Sequence, residues 1–312
     1  MKTLVRSVAV AIITCNRPKG LKKLLSSLSH LEFPDFPGIA LHVIVVENGR
    51  KLEVEEQVDH FRSAGLDVVY AHEATPGITY ARNRAMEMAL NCAEYLAFID
   101  DDEYPDCLWL NTLLHCALIR CADVVRGPVL AVLPEEAPEW VDAGHFFQRG
   151  RYPTGTVVSY GASNNILIKT SLLRFTGLRF NHRFALTGGE DTLFFMQLQI
   201  RTGVDVIWSD EAIVYEDVPV SRISAAWLAR RASREGSNMP QYAAALGGKT
   251  CSRMRWAVQG LAHMGIALLR WTTSLAADDL KRVSARCEFS LGLGMVRGSL
   301  GHEVNEYSER HK

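Results

Sequence analysis

The sequence predicts an α/β fold: a doubly wound, mostly parallel central sheet followed by a helical C-terminal segment. Three observations carry this prediction. Short apolar strands alternate with amphipathic helical stretches across residues 8–117, which is the rhythm of a strand–helix–strand sheet. The strands are unbroken apolar runs, as expected where both faces are covered. From Ser221 onward the chain reads as mostly helical.

Residues 8–13 form the first such run. They read as a buried strand and not as part of a leader, because the run is short. It leads into Thr14-Cys15-Asn16-Arg17-Pro18, which is not a small-residue cleavage site. Asn16 is a candidate cap and Pro18 suits a first helical turn. Leu21, Leu24, Leu25 and Leu28 then repeat at helical spacing. Residues 41–46 make a second strand that ends at Glu47-Asn48-Gly49. A helix is expected over 51–64, stopped by Gly65, with a third strand at 68–70.

Ala81, Ala85, Met88, Ala89 and Cys92 mark another helix face. A fourth strand, 95–99, runs straight into Asp100-Asp101-Asp102-Glu103, and Leu110, Leu113, Leu114 and Ala117 mark the helix after it. Residues 134–160 break the pattern with Pro, Gly and the aromatics Trp140, Phe146, Phe147 and Tyr152. A loop of that length suits a lid or a binding loop. Strand order resumes at 165–173. Thr187-Gly188-Gly189-Glu190-Asp191 opens a helix to about Thr202, and two strands follow at 204–208 and 212–215.

The composition, 48% apolar and 22% charged, excludes disorder, collagen and coiled coil. A net charge of −1 gives no overall pull toward nucleic acid. It hides an asymmetry, however. Residues 1–220 carry 20 Lys/Arg against 28 Asp/Glu, whereas 221–312 carry 14 against 7. The basic tail is either a surface for a polyanion or anionic membrane, or a solvated helical face. The seven cysteines contain no C-x-x-C pair and the histidines no ligand spacing, so a reduced cytoplasmic protein without zinc is expected. No apolar stretch reaches the roughly 18 residues of a membrane span.

The acidic strand end is the first chemical feature. Ligands of open α/β sheets bind beyond the carboxyl ends of the strands, and Asp100 and Asp102 alternate onto one face. Clustered carboxylates raise each other's pKa. Mg²⁺ or Mn²⁺, which favour hard oxygen ligands, would remove the conflict. The alternative is an exposed acidic turn. The second feature, Glu190-Asp191, fits a T-x-x-E capping box with Thr187, yet two glycines in that turn would also let a ligand approach the backbone.

These pieces occur in a recognisable order. Ile12-Ile13-Thr14-Cys15-Asn16-Arg17 is followed by Val45-Val46-Glu47-Asn48-Gly49, then by Gly77-Ile78-Thr79-Tyr80-Ala81-Arg82-Asn83-Arg84-Ala85. Phe98-Ile99-Asp100-Asp101-Asp102 and Gly189-Glu190-Asp191 come next, and Arg222 with Trp227, Arg230, Arg231 and Arg234 closes the series. The set resembles the family-2 glycosyltransferases of the GT-A fold, and among them the succinoglycan-type glucosyltransferases of bacterial exopolysaccharide synthesis.

The resemblance implies a GT-A nucleotide-diphospho-sugar transferase fold. Its catalytic domain would span 1–220, with a nucleotide-binding half to about 105, an acceptor-binding half over 106–220 and a basic helical region over 221–312. It also implies inverting transfer of a hexosyl unit from a UDP-sugar to a glycan or a polyprenyl-diphosphate-linked saccharide. Thr14, Asn16, Arg17, Glu47, Arg82, Asp100 and Asp101 would face the nucleotide, with Arg230, Arg231 and Arg234 closing over the donor. Asp102 and Asp100 would hold Mn²⁺ or Mg²⁺, with Glu216 standing where many relatives carry a histidine. Asp191, beside Glu190, would take the acceptor's proton. Glu47 departs from the family's usual Asp. Asn164 and Asn165 are either acceptor-side or turn residues.

The apolar run Leu261, Met264, Ile266, Leu268 and Leu269, between Arg253/Arg255 and Arg270, either lies at a membrane interface on the cytoplasmic face of the inner membrane, as relatives with polyprenyl-linked acceptors suggest, or packs as a helical subdomain on the catalytic core. Two other readings of the same sheet are a sugar-phosphate nucleotidyltransferase and a non-catalytic nucleotide- or carbohydrate-binding module. Against the former, no glycine-rich phosphate loop follows the first strand. A dehydrogenase lacks its G-x-G-x-x-G fingerprint here.

Overall fold

The computed structural model describes residues 5–49, 54–159, 161–248, 250–273 and 279–302. Its elements run β1 (Ser7–Thr14), α1 (Pro18–Leu28), β2 (Ala40–Glu47), α2 (Val54–Ser63), β3 (Val68–His72), α3 (Ile78–Cys92), β4 (Tyr95–Asp100) and β5 (Glu103–Pro105). Then come α4 (Trp109–Ile119), β6 (Val124–Arg126), β7 (Val129–Val132), α5 (Glu139–Ala143), β8 (Val157–Val158), β9 (Ile166–Lys169) and α6 (Thr170–Thr176). Finally there are α7 (Glu190–Thr202), β10 (Val206–Trp208), β11 (Val214–Asp217), α8 (Ala225–Ala245), α9 (Thr250–Thr273) and α10 (Asp279–Ser299). The expected helix over 51–64 is described from Val54. The expected strand over 165–173 is a strand only to Lys169, where the chain turns into α6.

The described residues form two compact units. The first holds the chain up to Leu130 together with Arg149–Glu216, and the second holds Ala131–Gln148 and the chain from Asp217. This differs from a single cut near residue 220, because 131–148 packs with the C-terminal helices. Gly144 lies so close to α10 that an added Cβ would stand 2.7 Å from Leu280 Cδ1.

An eight-stranded sheet in the order β3-β2-β1-β4-β9-β6-β10-β8 organises the first unit. β3, β2, β1 and β4 are mutually parallel, as are β6 and β10, while β9 and β8 run against their neighbours. Alternate residues of β1 feed two cores, as strand geometry requires. Val8, Val10 and Ile12 pack with Leu21, Leu24 and Leu25 of α1 and Leu113 of α4. Ala9 and Ala11 face Ala81, Ala85 and Ala89 of α3, and small side chains on both surfaces let that helix lie close to the sheet. The unbroken apolar character of β1 is therefore the mark of burial on both faces.

Register brings the functional strand ends together. Thr14 pairs with Glu47, Ile13 with Asp100, and Glu47 with His72. All lie at one edge, the carboxyl ends of four parallel strands. β9 arrives antiparallel at Phe98 through Ile166, which carries Ser163 and Asn164 to that same edge. A second sheet, β5-β11-β7, is short, and Glu103 stands directly across from Glu216 in it.

In the second unit α10 packs on both α8 and α9 through points where backbones nearly touch. A Cβ on Gly294 would lie 2.0 Å from the Ser233 carbonyl oxygen, and one on Gly292 would lie 2.4 Å from that of Gly260. Ser224 caps α8 by accepting from the Trp227 amide at 3.2 Å. The six cysteines with described side chains are free thiols, and Cys251 lies outside that set. Among the described residues no helix is long and apolar enough to cross a membrane.

Gly77 shows how tightly the turn into α3 is specified. Its φ is +133°, and a Cβ there would meet that of Ala185 at 2.6 Å. Gly77→Ala is therefore expected to lower stability by more than about 1 kcal/mol, as measured by urea unfolding. A neutral result would show that this turn is free to rearrange.

Candidate active site

The chain leaves β4 at Asp100 and reverses through Asp101 and Asp102 into β5. Asp101 turns inward and is buried. Thr14 Oγ1 donates to its Oδ2 at 2.9 Å, and Arg17 Nη1 donates to its Oδ1 at 3.0 Å. The same Arg17 nitrogen reaches Asp102 Oδ2 at 2.7 Å. Burial alone would lower the Arg17 pKa, but Asp101 and Asp102 outweigh it and hold the pKa raised. Thr14, Arg17 and Asp101, expected against the nucleotide, thus tie the end of β1 to the acidic turn. Asn16 does not cap α1: it adopts φ +56°, and Arg17 occupies the N-cap position without a side-chain bond, ahead of Pro18.

Asp100 sits among several charges. Burial pushes its pKa up to about 6, with Asp102, Asp101 and Asp191 adding repulsion and Arg82 opposing them. Three further carboxylates therefore act on Asp100, two from its own turn and one from α7. Glu103, the fourth acid of the run, has a different place. It is buried, accepting from the Asp100 amide at 3.0 Å and from Asn164 Nδ2 at 3.0 Å. Burial holds its carboxyl well above the usual range, and Asp100 and Glu216 add to the rise while Arg149 offsets it. Glu103 shapes the turn from beneath.

Arg82 and Glu190 form a buried ion pair between α3 and α7. The other guanidinium nitrogen of Arg82 reaches Asp100 Oδ1 at 3.3 Å. Arg82 is thus committed to two carboxylates, where a nucleotide contact was expected. The predicted capping box does not form. Gly188 and Gly189 take φ values of +76° and +87°, Gly189 is the N-cap, and the Thr187 hydroxyl donates to the Gly188 carbonyl. The left-handed glycines swing Glu190 inward and leave Asp191 on the next position. Asp191 Oδ1 accepts from the Thr192 amide at 2.7 Å, and Oδ2 from the Ser163 amide at 3.4 Å.

At the end of β2, Glu47 is fully buried. Its Oε2 accepts from the Tyr70 hydroxyl at 2.6 Å, while Oε1 has no hydrogen-bond partner among the described residues. Burial raises the Tyr70 pKa and the bond to Glu47 adds to it. Asn48 bridges β2 to the loop before α3: its amide donates to the carbonyls of Glu73 (3.0 Å) and Thr75 (2.7 Å), and its Oδ1 accepts from the Gly77 amide at 2.9 Å. Asn83 clasps the Phe180 backbone in both directions.

Tyr70, Asn83, Ser163 and Arg149 take part in ways that sequence reasoning missed. Only Asn83, inside a quoted motif, carried a signal. Asn165, offered for the acceptor or a turn, is a buried clip: it donates to the carbonyls of Pro128 and Ala212 and accepts from Trp109 Nε1. Arg230, Arg231 and Arg234 lie on α8 in the second unit. There Arg231 pairs with Glu235 at 2.9 Å and stands 5.8 Å from the Trp227 ring centre.

The acidic turn carries oxygens suited to a divalent cation. Asp100 and Asp102 offer hard oxygens, and a cation between them would relieve the repulsion that adds to the effect of burial at Asp100. Glu216 does not complete a triad with them. It is held by Arg149 at 3.2 Å, and among the described residues no three His, Cys, Asp or Glu side chains gather as a metal cluster. Mg²⁺ is commonly held by one or two carboxylates together with substrate phosphates and water. The pair fits that pattern.

A parallel sheet whose strand ends gather acids beside a buried Arg–Glu pair has the architecture of the GT-A nucleotide-sugar transferases. The family model described as glycosyl transferase family 2 matches residues 9–178, and the chain belongs to that family. It is 33% identical over 230 residues to the succinoglycan biosynthesis protein ExoM of Rhizobium meliloti, covering 73% of this chain and 72% of that one. It is 30% identical to the pre-mycofactocin glycosyltransferase of Mycobacterium tuberculosis, over 75% of this chain and 47% of the relative.

Solved structures share the fold at low identity. The mannosyltransferase PcManGT of Pyrobaculum calidifontis, in complex with GDP-Man and Mn²⁺, superposes with a TM-score of 0.64 at 18% identity, over 97% of this chain and 89% of that one. S. aureus TarS 1–349 superposes at 0.56 and 19% identity, over 98% of each.

Removing one member of a buried ion pair strands the other, at a cost of about 3–5 kcal/mol. Arg82→Ala and Glu190→Ala are each expected to lose that much in urea unfolding, and the double variant less than the sum. Additive losses would show that the two side chains do not act as a unit.

Proposed function

We propose that this protein is an inverting glycosyltransferase that moves a hexosyl unit from a UDP-sugar to a saccharide or polyprenyl-diphosphate-linked saccharide in bacterial polysaccharide synthesis. The observation that carries the reading is the convergence of Asp100, Asp102 and Asp191 at the carboxyl ends of the sheet in a family-2 chain. The kinship with ExoM supports the polysaccharide setting. The same reading assigns the protein to the cytoplasmic face of the inner membrane, where such acceptors are carried.

Asp191 is the base. Its carboxylate is oriented by the Thr192 and Ser163 amides, and the looser contact, at 3.4 Å, leaves Oδ2 the better placed to take a proton. The acceptor hydroxyl loses that proton to Asp191 as its oxygen attacks the anomeric carbon, so the base need not deprotonate a free alcohol beforehand. The bond to the nucleoside diphosphate breaks on the opposite side, and a single displacement inverts the centre. Asp100 and Asp102 would hold Mg²⁺ or Mn²⁺, which when bound supplies charge neutralisation for the departing diphosphate. Glu47 Oε1, buried and without a hydrogen-bond partner, accepts the ring N–H of the uracil.

Thermal shift against UDP, GDP, dTDP and CMP, each with and without Mn²⁺, tests the donor. A ligand that binds only the folded state raises the melting temperature with occupancy. UDP is expected to stabilise, and more so with Mn²⁺. Stabilisation by GDP alone would overturn the base assignment, and no response to any nucleotide would favour a module without transferase activity.

Asp191→Asn is expected to keep the UDP-dependent shift and lose transfer by at least about a hundredfold, the low end of general-base contributions. Normal turnover would remove Asp191 as the base. Asp102→Ala is expected to abolish the Mn²⁺-dependent part of the shift, and an unchanged metal response would take it out of the ion site.

A further inference from the structure

α9 has one face accounted for and one that is not. On the inner side Gly260 meets Gly292 of α10 backbone to backbone, Ala267 is buried, and Arg270 and His263 turn to Glu288 of α10. On the outer side Met254, Val258, Leu261, Leu268 and Leu269 are each between 57% and 70% exposed. At helical spacing these five and the exposed Gly265 fall within about 100° of arc and run about 22 Å along the axis. Scattered exposed apolar residues need no explanation, but a contiguous stripe of this kind marks an interaction surface.

The charges around the stripe say what covers it. α9 contains no Asp or Glu over its 24 residues. Arg253 and Arg255 are exposed and flank the stripe at its N-terminal end, about 100° to either side of Met254. Neither makes an ion pair among the described residues. Trp271, 41% exposed, stands at the far end. Apolar residues on one face, arginines at the border and an aromatic at the margin are the features of a helix that lies in a membrane interface. No described helix is long and apolar enough to cross a bilayer, so α9 would lie on one.

We infer that the outer face of α9 is the docking surface for an anionic lipid bilayer, with Met254, Val258, Leu261, Leu268 and Leu269 entering the acyl boundary while Arg253 and Arg255 meet phosphate headgroups. The inference deepens the proposed function, since a polyprenyl-linked acceptor resides at such a surface, but its test needs neither donor nor acceptor.

The experiment is co-sedimentation of the full chain with vesicles of equal parts phosphatidylcholine and phosphatidylglycerol, against phosphatidylcholine alone. Binding is expected to the anionic vesicles and to weaken at about 1 M salt, where the screening length falls to about 3 Å. Arg253→Gln with Arg255→Gln is expected to lower partitioning about thirtyfold, and Leu261→Glu with Leu268→Glu by more than about a hundredfold. Thermal melting and the UDP-dependent shift should be retained in both, which separates loss of docking from loss of fold or of the donor site. Should the double Glu variant fold poorly, Met254→Ser with Val258→Ser gives a milder cut through the same stripe, with reduced binding expected. Wild-type chain that ignores both vesicle types overturns the inference. So does a concentration-dependent dimer in sedimentation velocity that the Leu→Glu pair dissolves, since the face would then join two copies.

Discussion

The burial of several carboxylates together at the end of one strand, with their mutual repulsion added, is the constraint around which this site is arranged. Asp100, Asp101 and Asp102 follow one another out of β4, and α7 adds Asp191 within electrostatic reach. Left alone, such a group would drive protonation or splay the strand end apart. Two arginines contain it. Arg17 takes Asp101 and Asp102 from the side of α1, and Arg82 takes Asp100 from beneath while holding Glu190. Each arginine links the acids to an element far away in the chain, so the same contacts that balance the charge also place α1, α3 and α7 around the strand end.

The balance is incomplete in a specific way. Arg82 opposes the rise at Asp100 without cancelling it, and burial of Glu103 beside the turn favours its uncharged form. On the proposed reading, it is Asp100 and Asp102 that would meet a cation and the phosphates of a donor. The unresponsive parts of the cluster serve geometry instead. Asp101 and Glu103 are saturated by hydrogen bonds from Thr14, Arg17, the Asp100 amide and Asn164, which fixes the turn that presents Asp100 and Asp102. Stability and chemistry are thus divided between neighbouring residues of one acidic run.

The second unit is built on a different principle. α10 meets α8 and α9 at glycines whose backbones approach to contact distance, so packing there depends on the absence of side chains more than on their fit. In α9 the large residues Met254, Val258, Leu261, Leu268 and Leu269 are left exposed. The excess of positive charge in this part of the chain and its exposed apolar stripe belong to the same design, in which a helix is held by one face and offered by the other.

The strands and helices were readable because their signals are local. Leu21, Leu24, Leu25 and Leu28 announce α1 by spacing alone, and the unbroken run in β1 announces burial on both faces. Motif order was also enough to identify the family and to mark Asp100, Asp102, Glu190 and Asp191 as a group. The same local reasoning misjudged the contacts. Thr187 and Glu190 have capping-box spacing, but the two left-handed glycines between them point the acid at an arginine 108 residues away. Glu216 looked available to a metal until strand pairing set it against Glu103 and Arg149. Residues 134–160 read as a loop within a domain over 1–220, but 131–148 fall in the second unit, where Gly144 lies against Leu280 of α10.

What the sequence determined by itself was the alternation of elements, the class of sheet and the place of the acids at its carboxyl edge. These follow from patterns within a turn or two of each residue. Which acid is spent on structure and which is left for chemistry was decided only by the tertiary structure. Charge pairing acts through space, and the distance from Arg82 to Glu190 or from Arg17 to Asp101 is set by sheet register and helix placement that no local pattern encodes.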